Sequence, residues 1–312
     1  MEYERSERYE VLINPQAASG GAMRVWKHVK SIFDMRRVGY RQHILRCPGD
    51  ATQITRDLTM KTSKDVHILV LGGDGTLNEV LNGIVDFKHT IVSCLKTGSG
   101  NDFARNVGVE SDINKAMVQL LDHPMEAAID FGEIRVPEKT PKRFLISAGA
   151  GYDADICYAA TNSKLKRFLN LFRLGRLVYG LIGIRQIFTR KCCGATLYLD
   201  NREPIKIDGL FFVVGMNHMY EGGGVPFCPE ADPTDGLMDV CLVRSMSKLK
   251  LLMAVVMVYF KKHLVFRGID CYRCKTMRLK ADKPQQLHVD GEVPYRSSEV
   301  LWISRGKLRF VK

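Results

Sequence analysis

The chain has 312 residues, enough for one large domain or two, and an apolar fraction ordinary for a globular protein with a sizeable core. Its formal net charge of +12 points to a negatively charged partner: a phosphorylated substrate, an anionic membrane surface or a nucleic acid. No run reaches the roughly 18 uninterrupted apolar residues of a spanning helix, which excludes a helical integral membrane protein.

The start, "MEYERSERYE", is charged and polar rather than a secretory leader, so the nine cysteines are expected as free thiols in a reducing cytosol. From there strands and helices alternate. "YEVLINP" reads as a strand, and Val25, Trp26, Val29, Ile32 and Phe33 recur at helical spacing behind it. "YRQHILR" is a strand, and Asp50 reads as the N-cap of a helix through Thr55 and Leu58. "VHILVL" (strand), "TLNEVLNGIVDF" (helix), "TIVSCL" (strand) and "NDFARNV" (helix start) follow. This alternation predicts a parallel sheet covered by helices on both faces.

After about residue 127 the texture changes. "AAIDFGEIRV", "KRFLISAG", "GATLYLD", "IKIDGLFFVVGMN", "GLMDVCLVR", "TMRLKA" and "EVLWISRGKLRFVK" are strand-like runs between turn signals, the spacing of an antiparallel sandwich or barrel. Helical stretches are expected at roughly 155–190 and 247–262, and the apolar "LLMAVVMVYF" at 251–260 reads as a buried helix. The fold class is therefore α/β: a parallel-sheet domain over 1–130 and a β-sandwich domain over 131–299, with the tail 300–312 able to pack back on the first. "CYRC" at 271–274 has Cys-x-x-Cys spacing and Cys192-Cys193 could join it around zinc, but a strand points residues three apart to opposite faces, which argues against a metal there.

Three glycine-containing turns fall at one edge of the predicted parallel sheet: "INPQAASGG", "LGGDGT" and "KTGSGND". Ligands of such sheets bind beyond the carboxyl ends of the strands. Glycines let the backbone approach a ligand, and their N–H groups with the next helix N-terminus form an anion nest. Any one turn is equally well a tight strand-to-helix connection, with Asp74 as its N-cap. Three together converge on a polyphosphate. Asp74 cannot neutralise a phosphate and is expected to face a metal, a water network or a hydroxyl. Neither the P-loop pattern nor the dinucleotide G-x-G-x-x-G is present.

"LGGDGTLNEVLNGI", "GSGNDFAR", "IDFG", "GYDA", "EGGG", "CPEADPTDGLMDV" and "VDGE", in this order, resemble the soluble bacterial diacylglycerol kinase and lipid kinase family, related to sphingosine and ceramide kinases. The resemblance implies two domains enclosing a cleft for ATP and Mg²⁺. It places nucleotide contacts on Asn14, Ser19, Gly20, Thr52, Gly72, Gly73, Asp74, Gly75, Thr76, Leu77, Asn78 and Ser99. It makes Glu292 the proton acceptor, with Asp74 beside it in the catalytic set. It gives Mg²⁺ the Asp235 carboxylate and the carbonyls of Asp232 and Leu237, with Asp130 linking that ion to the cleft. "NPQAASGG" is longer than the family's turn, Lys96 stands where proline is usual, and Ser99 where threonine often stands.

These residues suit phosphoryl transfer, which needs positioning and charge stabilisation more than covalent help. Glu292 can take the proton of an attacking hydroxyl, or be a solvated turn residue. "DPTDG" can offer oxygens to a hard cation, or be turn geometry alone. Residues 161–191 hold eight Lys or Arg and no Asp or Glu, with Phe168, Leu169, Leu171, Phe172, Leu177 and Tyr179 between them. Such a segment can lie on an anionic bilayer, bind nucleic acid, or dock on the β-domain with a solvated basic face. The function expected is transfer of the ATP γ-phosphate to a lipid hydroxyl, foremost diacylglycerol giving phosphatidic acid, by a cytoplasmic protein peripheral to the inner face of the membrane. The alternatives are an NAD kinase-like enzyme on a soluble substrate and a catalytically weak, membrane-associated nucleotide-binding protein. Nucleic acid is not expected as partner, and a homodimer stays open.

Overall fold

The computed structural model describes residues 9–60, 63–98, 100–161 and 175–312, and divides into two compact units, Met1–Asp130 with Gly306–Lys312, and Phe131–Arg305.

The first unit holds β1 (Tyr9–Ile13), α1 (Gly21–Arg36), β2 (Tyr40–Ile44), α2 (Asp50–Thr59), β3 (Val66–Gly72), α3 (Asp74–Gly83), β4 (Thr90–Lys96), α4 (Asp102–Asn106) and α5 (Ile113–Asp122). A further strand, β5 (Glu126–Arg135), leads out of it. The sheet is parallel in the order β2-β1-β3-β4, and the chain's last strand returns to lie beside β4, with Arg309 opposite Ile91 and Phe310 opposite Val92. Side chains alternate across the sheet. Tyr9, Val11, Ile13, Leu69 and Leu71 pack with Trp26, Val29 and Phe33 of α1 and with Met117 and Leu120 of α5. On α2 and α3 the approach is close enough that a side chain at Gly83 would strike the Thr52 carbonyl.

Two local expectations change. Asp50 is not the N-cap of α2. Gly49, at φ +94°, holds that place, and the Asp50 carboxylate turns back to accept the N–H groups of Arg46 and Cys47. Helix α5 was not anticipated, although Asp112 caps it by accepting the Lys115 N–H at 2.9 Å, a signal readable in "SDINK".

The second unit holds β6 (Lys142–Phe144), β7 (Ser147–Gly151), α6 (Tyr152–Thr161), α7 (Gly175–Thr189), β8 (Cys193–Leu199), β9 (Ile205–Met216), the short pair β10 (Tyr220–Glu221) and β11 (Val225–Pro226), β12 (Met238–Arg244), α8 (Lys248–Tyr259), β13 (Ile269–Cys274), β14 (Thr276–Val289) and β15 (Glu292–Val311). Its strand pairings are antiparallel. The long strands β9 and β14 are bridged twice, by β7 at one end and by β8 at the other. A flat sheet cannot bring side chains of β5 through β15 into one cluster. The core of Phe144, Leu197, Val213, Val240, Leu287 and Trp302 therefore requires the sheet to fold over itself, as in a sandwich. A second cluster packs α7 and α8 against β9 and β12 through Ile187, Leu251, Phe212 and Cys241.

Helix α8 corrects another expectation. It is not buried: only Leu251, Ala254 and Val258 are enclosed, while Leu249, Val256 and Phe260 are 68%, 59% and 66% exposed. Cys271 and Cys274 share strand β13. Cys271 lies opposite Cys241, whereas Cys274 enters the main core. Among the described residues no group of three or more His, Cys, Asp or Glu is arranged to hold a metal.

Candidate active site

In the first unit the chain moves from β1 to one neighbour, β2, and then across to the other, β3, so the strand order reverses between β1 and β3. At such a switch point the flanking connections diverge and leave a crevice beyond the carboxyl ends of the strands. Asn14 follows β1 and Gly73 follows β3. Asn14 Nδ2 donates to Thr76 Oγ1 at 3.0 Å, joining the two sides of the switch, and Asn14 Oδ1 accepts the Gln16 N–H.

Two helices open here, each preceded by a glycine. Gly20, at φ +90°, precedes α1 and Gly73 precedes α3, and neither helix has a side-chain cap. A helix N-terminus without a side-chain cap, with its dipole, is a place that favours an anion. A Cβ at Gly20 would meet nothing within 4 Å, so this glycine serves its left-handed backbone and not local packing. The turn after β4 is closed by Asn101, itself left-handed at φ 55°. Its amide accepts from Gly98 N–H at 2.7 Å and donates to Gly98 C=O at 2.8 Å. A Cβ on Gly98 would stand 2.6 Å from Gly73 Cα, so the two turns press backbone to backbone.

Asp74 is not the N-cap of its own helix, a place that Gly73 holds, and its carboxylate turns to the main chain of the turn after β4. Its Oδ2 accepts the Asp102 N–H and its Oδ1 the Phe103 N–H, each at 3.1 Å. It thus caps α4, the helix of "GSGND". Asp102 is buried and pairs with Arg105, whose other nitrogen reaches the Gly100 carbonyl. Thr97, not singled out in the sequence, donates to the Gly72 carbonyl at 3.1 Å and fixes the end of β3.

The expected nucleotide residues thus fall into groups. Asn14, Gly20, Gly72, Gly73, Asp74, Gly75 and Thr76 gather on the turns at the carboxyl ends of β1 and β3. The side chains of Leu77 and Asn78 are buried, leaving only their backbone to a ligand. The Thr52 hydroxyl donates to the Glu79 carbonyl at 2.9 Å, which ties α2 to α3. Ser99 and the Ser19 side chain lie outside the described residues. Asp130 is buried in the same unit, with Lys307 Nζ 3.6 Å from its Oδ1.

The expected metal and catalytic residues Asp232, Asp235, Leu237 and Glu292 belong to the second unit. Asp232 Oδ1 accepts from the N–H and hydroxyl of Thr234, and Asp235 Oδ1 from the Leu237 N–H at 2.8 Å. Gly236 reverses the chain at φ +78°, and its carbonyl accepts from Ser304. Carboxylate and carbonyl oxygens in one turn are the donor set a hard cation takes, so the residues fit Mg²⁺ in kind. Arg273, 3.8 Å from Asp235 Oδ2, offsets part of the negative charge.

Glu292 opens β15. Its side chain is 57% exposed, and Lys142 Nζ lies 3.8 Å from its carboxylate. The turn that presents it is held by Asp290, at φ 45°, whose carboxylate accepts the N–H groups of Leu145, Ile146 and Ser147 at 2.8 to 3.0 Å. Two residues earlier lies a polar cluster that sequence reasoning missed. Buried His288 Nε2 is 2.9 Å from Asp153 Oδ2 and 3.5 Å from Glu221 Oε1. Gly149, opposite His288 on β7, leaves the room, since a Cβ there would collide with both His288 and Asp153. Burial, the largest influence, pushes His288 down, but the carboxylates of Glu221 and Asp153 together outweigh it and raise it to about 9. Burial raises Glu221 to about 7, against the opposing pull of His288. The signal was present in "GYDA", "YEGGG" and "LHVDGE", but not that these motifs meet.

The first unit is an α/β unit with a glycine-lined switch point, followed in the chain by a β-rich unit. The family model described as "Diacylglycerol kinase catalytic domain" matches residues 8–134, and "YegS C-terminal NAD kinase beta sandwich-like domain" matches 146–309. A curated diacylglycerol kinase of Bacillus subtilis (strain 168) is 26% identical over 292 residues, covering 92% of this chain and 90% of the relative. One of Mycobacterium tuberculosis (strain ATCC 25618 / H37Rv) is 25% identical over 270 residues, covering 86% and 84%. A crystal structure of a diacylglycerol kinase from Bacillus anthracis str. Sterne has a TM-score of 0.67 at 18% identity, covering 97% of this chain and 96% of that one. Another from that organism reaches 0.75 at 19% identity, covering 99% and 96%. At such identity the structures speak for the fold. The chain belongs to the bacterial diacylglycerol and lipid kinase family, and it is a lipid kinase.

Proposed function

We propose that this lipid kinase transfers the γ-phosphate of ATP, with Mg²⁺, to the hydroxyl of diacylglycerol, giving phosphatidic acid. The observation that carries the reading is the crevice between β1 and β3, where Asn14 bonds Thr76 and the N-termini of α1 and α3 open without side-chain caps. The backbone of Gly20, Gly73, Gly75 and Thr76 would hold the phosphates by N–H donation and the helix dipoles, with Asn14 fixing Thr76 and Gly72 ending the strand behind them. The cation, when bound, supplies charge neutralisation at the phosphates or stabilises the fold, and the turn of Asp232, Asp235 and Leu237 offers its oxygens. Glu292 takes the acceptor hydroxyl's proton. Its exposure leaves the carboxylate accessible to an incoming alcohol, and the Asp290 clamp fixes the turn that carries it. Asp74 acts as a positioning residue through α4.

The acceptor is chosen on the relatives' names, since two curated relatives are diacylglycerol kinases. The test incubates the purified chain with γ-labelled ATP and either diacylglycerol in mixed micelles or NAD, with and without Mg²⁺. Label in phosphatidic acid, dependent on Mg²⁺, is the expected result. Label in NADP, or in another lipid of a total extract and not in phosphatidic acid, would overturn the choice of acceptor. Nucleotide binding with no turnover on any lipid would overturn the catalytic reading of these residues.

A further inference from the structure

Helix α8 carries two apolar stripes. Leu251, Ala254 and Val258 face the core. Leu249, Met253, Val256 and Phe260, spaced by four, three and four residues, form a second stripe that faces water, at 49% exposure or more. The turn that follows adds Val265, 74% exposed. Helix α7 packs beside α8 and presents a stripe of its own, Leu181, Ile184 and Phe188, each at least 49% exposed. Single exposed apolar residues are ordinary, but a continuous patch on neighbouring helices marks a surface that is covered in use.

The charges around the patch indicate what covers it. From Arg244 to Ile269 the chain has Arg244, Lys248, Lys250, Lys261, Lys262 and Arg267, and no Asp or Glu. Lys248 and Lys250 sit in the first turn of α8, where the helix dipole disfavours a positive charge. Stability of the fold therefore does not account for them. Lysines at both ends of an apolar stripe match a helix lying in the plane of a bilayer interface, with apolar side chains among the acyl chains and ammonium groups at anionic headgroups. Twofold pairing of this face with a second copy would bury the same apolar side chains but set like charges against each other.

We propose that the outward face of α8, with the adjoining stripe of α7, is the surface on which the protein docks onto an anionic lipid bilayer. The inference rests on the lipid-kinase reading, because an acceptor with long acyl chains stays in the bilayer and the enzyme must come to it. The surface lies on described residues; the basic run Lys164, Lys166 and Arg167 lies outside them.

The experiment compares the parent with the triple variant Leu249→Gln, Val256→Gln, Phe260→Gln, whose changes are all on exposed positions. Sedimentation with phosphatidylglycerol-rich vesicles should show the parent bound, more weakly at high salt, and the variant weakened on the order of 10²-fold, from three apolar side chains no longer entering the interface. Vesicles of phosphatidylcholine alone should bind the parent less than the anionic ones. Melting temperature and turnover on a short-chain, water-dispersed diacylglycerol should be the same for both proteins. Equal vesicle binding by variant and parent overturns the docking surface. So does a parent that ignores vesicles and forms dimers that the variant does not, which would assign the face to self-association. Absence of turnover on the short-chain lipid by both proteins would count against the proposed activity alone, with the vesicle arm still deciding the surface.

Discussion

Asp74 offers the sharpest separation of a chemical role from a structural one. Its two carboxylate oxygens accept the N–H groups of Asp102 and Phe103 at 3.1 Å, so they cap α4 from a position 28 residues away in sequence. Replacing it by alanine leaves both donors without this partner. Loss of a helix cap costs about 0.5–2 kcal/mol and a hydrogen bond to a charged group about 1.5–3 kcal/mol. The two terms describe the same pair of bonds and the carboxylate is only part-buried, so the sum is discounted to about 2–3 kcal/mol. A domain of this size loses about 2–4 °C per kcal/mol, so Asp74→Ala should melt about 4–12 °C lower, and Asp74→Asn, which keeps one acceptor, about half as far. Scanning calorimetry of the parent and both variants, alongside turnover on diacylglycerol micelles, makes the comparison. If Asp74→Ala melts within about 1 °C of the parent while turnover falls a hundredfold or more, the capping argument is wrong and the carboxylate belongs to the chemistry.

Glu292→Gln should keep the fold, since the side chain is 57% exposed with a single distant ion pair to Lys142, and should lower turnover ~10²-fold or more; near-normal phosphorylation of lipid would exclude a proton-acceptor role. Gly73→Val should fold, because Gly73 is extended at φ −100° and a Cβ would meet Gly98 Cα at an ordinary 3.6 Å, yet it should lose ATP affinity by calorimetry if phosphates approach that backbone. Gly98→Ala is its counterpart and should destabilise the first unit, with a Cβ 2.6 Å from Gly73 Cα; unchanged stability to urea would show that the turns can separate at no cost. For His288, burial lowers its affinity for a proton, and Glu221 and Asp153 more than reverse this, raising it from the ordinary 6.5 to about 9. A raised value means stability fully present below about 6.5 and lost as pH climbs through about 9. Urea unfolding of the parent should therefore weaken between pH 7 and 10 more steeply than that of His288→Gln, and parallel pH profiles would remove the histidine from the account.

The fold class and the order of the motifs were legible in the chain because their signals are local. Strand and helix periods, glycines at strand ends and the shift from alternation to successive strands all act over a few residues. The longer "NPQAASGG" turn and the acidic "DPTDG" turn were legible in the same way, and Asn101 could have been found from the left-handed turn its Gly-x-Gly-Asn setting requires. What each acid does was not legible. Asp74 reads as the cap of its own helix or as a ligand, and only the close packing of the β3 and β4 turns, Gly73 against Gly98, brings the α4 N-terminus to it. His288, Asp153 and Glu221 come from three separate motifs, joined where β14 pairs with β7 and α6 leaves it, so their mutual charge is a product of topology. Helix α8 shows the same limit. A helix apolar all round has no periodic signal to separate a core face from an outward one, and its sequence alone reads as buried. Its length and composition set that it is a helix and that no more than its ends are charged. Which stripe meets the sheet, and that Leu249, Val256 and Phe260 are left facing outward, was decided by the strands of the second unit, because Phe212, Cys241 and Val243 of β9 and β12 form the apolar surface that the Leu251 side covers.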